Sequence, residues 1–283
     1  MRTMQEFILW SNCTKSCAFC WQQKKKDWTT FLNEQEMLEC ITETSIRLES
    51  INEGDDVLLV GGEILAPYFS SVNIALHSLI DKCAQMLKSG KIRYFYINTN
   101  LIYTDRINLI HLLDSVTGQE EKLKFTTSFD IYGRFDSSIE KNIFLDNLAF
   151  IRDNYPKINV VVNSIITRQL VDSKFDFDNF QKEYKIRYIN FIPYIPVTND
   201  RSMDVSLKDI VKILARCERK HKGFIKYYID DLDLNQNKVL YEYHKDIGYK
   251  ECTSKYAECH HNENFRKVLG DKCYICKLKE LFG

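Results

Sequence analysis

Three thiols crowd one short stretch near the start of the chain. In NCTKSCAFCW, residues 12–21, Cys13, Cys17 and Cys20 are spaced CxxxCxxC. Where thiols stay reduced, clustered cysteines point to metal binding or catalysis ahead of disulfides. Structural zinc takes four ligands, so a zinc reading needs a fourth from elsewhere. An iron–sulfur cube held by three thiolates keeps one iron free of protein, and that iron can bind a substrate or cofactor directly. Three thiols rather than four therefore suit chemistry.

A second set lies near the other end. Cys252, Cys259, Cys273 and Cys276 follow the pattern C-x6-C-x13-C-x2-C. Four thiols ending in CxxC predict a metal site, either an iron–sulfur cluster or a zinc knot that could also recruit His260 or His261. The remaining three of the ten cysteines, Cys40, Cys83 and Cys217, stand singly on apolar helical stripes and read as small buried hydrophobes.

The elements that position these residues alternate strand and helix. Strands are expected at 4–10, 56–60, 92–98, 122–129, 158–166 and 186–194. Helices follow at 33–50, at 70–90 with Gly90 as the stop, from about Thr104, from a capping box at Ser137–Glu140, weakly at 176–184, and at 206–221. Six βα units predict an α/β fold with a parallel sheet, a partial (β/α)6 TIM-like barrel, with a doubly wound open sheet as the competitor. Residues 1–223 would form that core and residues 224–283 a small cysteine-rich C-terminal lobe. Polar residues fall after or late on the strands: SNC, GGE, NTN, SFD and NS. In parallel barrels the site lies at the strands' carboxyl ends. Asn98 and Asn100 of NTN either cap the next helix or line that cavity, and the strand-end position favours lining.

Composition narrows the class. The chain has 283 residues, 45% hydrophobic and 28% charged, with 39 basic and 39 acidic residues. No global field recruits nucleic acid or an anionic membrane. The apolar runs are too short and too broken by charge for a membrane span, and the first residues lack an apolar core of signal-peptide length. The expectation is a cytoplasmic protein.

These motifs resemble the radical S-adenosylmethionine (radical SAM) superfamily. The signature CxxxCxΦC is matched by Cys13, Cys17, Phe19 and Cys20 after the first strand, and the second motif, GGE, by Gly61, Gly62 and Glu63 after the second. The resemblance implies an oxygen-sensitive enzyme whose three cysteines hold a 4Fe–4S cluster, with S-adenosyl-L-methionine (AdoMet) on the open iron. One electron would cleave AdoMet to a 5′-deoxyadenosyl radical that abstracts hydrogen from the substrate. Phe19 would lie beside the adenine, Gly61 and Gly62 would let the backbone approach the methionine end, and Glu63 would hold its ammonium. Ser128, Asp130, Asn163 and Ser164 are the candidates for the ribose and the carboxylate, with Asn98 on the cavity wall. Arg134 either pairs with a carboxylate or is solvated. The C-terminal cysteines are similar to a Twitch or SPASM extension carrying a second Fe–S cluster, with zinc as the alternative. A reductant such as flavodoxin or ferredoxin is implied.

Three functions stay open at this point. The first is modification of a peptide or protein side chain, or of a small molecule. The second is modification of a nucleotide or RNA base, for which Lys24–Lys26 and Trp28 would form a basic, aromatic mouth. The third is a non-catalytic Fe–S or zinc protein that binds a partner.

Overall fold

The computed structural model describes residues 3–17, 19, 20, 32–193, 203, 205 and 225–227. Seven strands hydrogen-bond in chain order: β1 (Met4–Ile8), β2 (Asp55–Val60), β3 (Ile92–Thr99), β4 (Leu123–Ser128), β5 (Val160–Ile166), β6 (Tyr188–Pro193) and β7 (Ile225–Tyr227). Between them run the helices α1 (Glu34–Glu49), α2 (Ser70–Ser89), α3 (Ile107–Ser115), α4 (Ser138–Asn154), α5 (Arg168–Asp172) and α6 (Phe177–Glu183). The pairs β1–β2, β2–β3, β3–β4 and β6–β7 are parallel. A doubly wound sheet reverses its strand order part-way, and this one does not. Parallel strands taken in chain order are the arrangement of a barrel, here left unclosed, with β1 and β7 as the two end strands. The fold is a partial (β/α)6 TIM-like barrel with one strand beyond the six expected.

That extra strand, β7, is three residues long and interrupted by Lys226, too short to show a period. The expected helix at 206–221, the C-terminal lobe apart from residues 225–227, Cys217, His260, His261, Lys24–Lys26 and Trp28 lie outside the described residues.

The chain divides into two compact units, one of residues 1–128 and 135–161, the other of residues 129–134 and 162–283. In the first, strand alternation sorts side chains onto two faces. Val57, Leu59, Phe95, Ile97, Leu123 and Phe125 are fully buried and share one of them, with Val57 beside Phe95 and Ile97 beside Phe125 in register. The apolar stripes of α1 (Met37, Ile41, Leu48) and α2 (Leu76, Ile80, Cys83, Leu87) are buried too. The lone Cys83 is indeed a core residue, and burial pushes its thiol up to about 12. The opposite face carries Tyr94, Tyr96, Asn98, Thr126 and Ser128, all open to some degree.

Local signals explain the helix ends. Asn33 and Glu36 form a reciprocal capping box at α1, and Gly90 closes α2 in the left-handed conformation. Helix α3 starts later than expected, with its N-cap at Arg106.

Candidate active site

The cysteine loop is anchored at its root by backbone. Past the ends of β1 and β2 the two chains stay paired: Leu9 N–H donates to Val60 O (2.9 Å), Gly62 N–H to Trp10 O (2.7 Å) and Glu63 N–H to Asn12 O (2.8 Å). Here the glycines of GGE have a reason of their own. A Cβ on Gly61 would lie 2.6 Å from Trp10 O, and one on Gly62 only 2.1 Å from Asn12 O. The close approach the structure shows is to the chain's own residues 10–12. The Tyr68 hydroxyl spans the same junction, within 2.9 Å of Asn12 O and 2.8 Å of Glu63 O. Asn12 closes the far side: its side chain accepts from Leu32 N–H (2.8 Å) and donates to Leu32 O (2.9 Å), imitating a strand pair across the base of the loop.

Within the loop Cys17 and Phe19 are buried, and Cys13 and Cys20 half-buried. All three cysteines are free thiols, and Cys20 N–H donates to Cys17 O (2.9 Å). The Cys13 sulfur accepts two N–H groups, from the Lys15 backbone (3.4 Å) and the Asn100 side chain (3.6 Å). Burial, aided by the nearby Glu63 and Cys17 charges, pushes the Cys13 thiol up to about 11 against those two donors. Among the described residues no three His, Cys, Asp or Glu side chains are gathered so as to hold a single metal ion. The donor chemistry nevertheless fits an iron–sulfur cluster. Thiolates are its ligands, N–H···S bonds tune it, and a metal deprotonates a thiol that burial alone keeps protonated.

Lys15, between the first two cysteines, ties the loop to the start of α4. Its side chain is only 2% exposed, and its ammonium pairs with Asp136 and with Glu140 (2.7 Å). The expected capping box at Ser137 is half present. Ser137 accepts from Glu140 N–H, but the Glu140 carboxylate reaches past it to Asp136 N–H (2.7 Å) and Lys15.

Glu63 is wholly buried and turned inward. One oxygen accepts from Leu65 N–H (2.9 Å) and the Thr99 hydroxyl (2.8 Å), and the other from Asn100 N–H. Its carboxylate thus orders the end of β3. Asn98 is exposed and Ser128 half-buried on the open face of the sheet. Neither Asn98 nor Asn100 caps α3.

In the second unit Asp130 is 2% exposed and doubly engaged, by Arg134 Nε (2.7 Å) and Ile165 N–H (2.5 Å). Burial raises its carboxyl above the usual range, opposed by the guanidinium and the backbone donor. Arg134 does pair with a carboxylate, one supplied by its own chain. Asn163 and Ser164 are neighbours on β5 and so face opposite ways. Asn163 accepts from Asn190 Nδ2 on β6 (2.9 Å), whereas Ser164 shares the buried face of Val160, Val162 and Ile166. Asn190 is 3% exposed, and its Oδ1 has no partner among the described residues. Sequence reasoning missed Asn12, Lys15 and Asn190. Of these only Asn190 left a signal, a polar residue between Ile189 and Phe191 in a strand. Cys252, Cys259, Cys273 and Cys276 lie outside the described residues.

No family model matches the sequence, and no curated protein does. Solved structures do match. A structure of native anSMEcpe with bound AdoMet and Cp18Cys peptide superposes with a TM-score of 0.55 over 99% of this chain and 95% of that one, at 13% identity. The likeness establishes the fold. Streptococcus suis SuiB bound to precursor peptide SuiA matches with a TM-score of 0.50 over 80% of this chain and 48% of that one, at 14% identity. HydG, a maturase of the FeFe-hydrogenase, matches at 0.51 over 85% and 54%, at 13% identity. This chain therefore spans about half the length of SuiB and HydG and nearly all of anSMEcpe. Among the described residues no helix is long and apolar enough to cross a membrane.

Proposed function

We propose that this chain is a radical SAM enzyme that takes a hydrogen atom from a peptide or protein side chain. Cys13, Cys17 and Cys20 hold a 4Fe–4S cluster whose fourth iron is left to AdoMet. Bound there, the cluster would supply the electron that cleaves the sulfonium of AdoMet. The protein's part is to hold and shield. Gly61, Gly62 and Asn12 fix the root of the loop, Lys15 fixes its first turn, and Phe19 is buried within it. Asn98 and Ser128, on the open face of the sheet, offer polar groups that orient AdoMet.

The observation that carries this reading is the cysteine loop itself. Three thiols follow β1, anchored beside GGE, in a fold whose solved relatives include AdoMet-bound anSMEcpe. The preference for a peptide rests on the Cp18Cys peptide and the SuiA precursor bound by two of those relatives. Cys252, Cys259, Cys273 and Cys276 are assigned to a second iron–sulfur cluster, with zinc as the alternative, and the electron comes from a flavodoxin or ferredoxin.

Iron, sulfide and zinc per chain after anaerobic reconstitution test the assignment, together with 5′-deoxyadenosine release under reduction. About eight irons falling to about four in the Cys13→Ala/Cys17→Ala/Cys20→Ala variant means two clusters. About four irons and one zinc, with the iron lost in that variant, makes the C-terminal site structural. Loss of nothing in that variant, or no 5′-deoxyadenosine from an iron-loaded protein, defeats the proposal.

A further inference from the structure

We infer that Asn100 is a positioning residue of this site: its side-chain amide is aimed at the Cys13 sulfur to donate a hydrogen bond to the thiolate once that sulfur ligates iron. The inference rests on the cluster assignment above and goes beyond it, because it names the residue that sets how easily the cluster accepts its electron.

The orientation of the amide is fixed by its own bonds. Oxygen and nitrogen of an Asn side chain are told apart by what surrounds them. Here Oδ1 accepts from Ile102 N–H at 2.7 Å, so the group left facing Cys13 Sγ, 3.6 Å away, is the NH2. A sulfur acceptor draws nothing useful from a carbonyl but gains from an N–H, and it gains more as a thiolate.

The loop that carries Asn100 is over-determined in a way that cavity lining alone does not require. Its backbone N–H is bound by the buried Glu63 carboxylate, which also takes the Thr99 hydroxyl. That hydroxyl in turn accepts from Leu101 N–H at 3.2 Å. Leu101 itself has φ +56°, a left-handed conformation that a residue with a side chain adopts only under strain. It is held there from beyond: Asn147 of α4, fully buried, donates to Leu101 O (2.9 Å) and Tyr103 O (2.8 Å), and its own oxygen is taken by Arg106 Nε (2.5 Å). Strain that so many groups sustain marks a position where direction matters. What all of them direct is one amide toward one sulfur. Hydrogen bonds to cluster sulfurs stabilise the more negative, reduced state and so raise the reduction potential.

The test is an EPR-monitored redox titration of the reconstituted protein, with iron per chain measured alongside. Asn100→Asp keeps an oxygen for Ile102 N–H, and with it the turn, but sets an acceptor against the sulfur. Asn100→Ser keeps a turn acceptor too short to reach the sulfur and stands in should the Asp variant lose its cluster. The expected result is wild-type iron content and a reduction potential shifted to more negative values in both variants, further in Asn100→Asp. A potential equal to wild type in an iron-loaded variant overturns the inference while leaving the cluster assignment intact. Absence of iron from the wild-type protein overturns the assignment and the inference together, and the two failures are distinguishable by that measurement alone.

Discussion

Replacing Gly62 by alanine tests the anchoring of the cysteine loop without touching a thiol. The added Cβ would lie 2.1 Å from Asn12 O and 2.5 Å from Ser11 O, whereas ordinary contact begins near 3.4 Å. The obstacle is backbone, which has no rotamer to swing away. Relief requires residues 11 and 12 to retreat by roughly 1 Å, and the 2.8 Å bond from Glu63 N–H to Asn12 O does not survive that. Overpacking costs about 1–3 kcal/mol, and each buried backbone group left without a partner about 1–3 kcal/mol more. The sum is on the order of 4 kcal/mol, or a fall in melting temperature of about 8–16 °C for a domain of this size. Gly118→Ala is the comparison. Gly118 has φ +84° with open space where a Cβ would stand, so its substitution costs only the left-handed backbone, about 1–2 kcal/mol. Thermal unfolding followed by circular dichroism reads both variants, and iron per chain should fall with Gly62→Ala alone. A Gly62→Ala protein that melts as high as Gly118→Ala would refute the claim that these glycines exist for backbone contact.

Three further outcomes are expected. Lys15→Met removes an ammonium that is 2% exposed, but Asp136 and Glu140 reach water and rehydrate. Stability should fall by only about 1–2 kcal/mol, while iron loading drops more steeply and Lys15→Arg restores most of it. Asp130→Asn strips the counter-charge from the Arg134 guanidinium. Urea unfolding should show a loss of about 3 kcal/mol or more, recovered in large part by Asp130→Asn/Arg134→Met, which removes the stranded charge and keeps an acceptor for Ile165 N–H. On the outer helices His77 stacks on His111 with ring centroids 3.9 Å apart, near Asp81 and Asn108, and burial with the facing ring holds His77 below its usual value near 6.5. The folded state then binds fewer protons, so stability is full above pH 6.5 and declines as the pH falls below it. His77→Gln should flatten that decline in urea midpoints measured between pH 7.5 and 5.

Much of the framework was legible because it is local. Asn33 and Glu36 announce α1, Gly90 ends α2, and the alternation of Val57 and Leu59 or Phe95 and Ile97 marks strands with one face in the core. The strand order that separates a barrel from a doubly wound sheet is not local, and only the paired backbone decides it. The same divide runs through the site. The cysteines and GGE announce themselves by spacing, but the partners of Lys15 lie more than a hundred residues away, and Asn12 gives no sign that it will bind Leu32. One point was available from geometry alone: Asn163 and Ser164, adjacent on a strand, cannot both face one cavity. Asp130 and Arg134 stand at an i,i+4 spacing that allows their pairing, yet nothing in the sequence names Asp130 as the carboxylate that Arg134 meets.

The anchors of the cysteine loop also bear on the order in which the finished protein is assembled. Gly62 on Trp10, Asn12 on Leu32 and Lys15 on the head of α4 all join protein group to protein group. None waits for iron. On the proposed cluster assignment, the root of the loop is set by folding itself, and the cluster is added to a backbone already held in place.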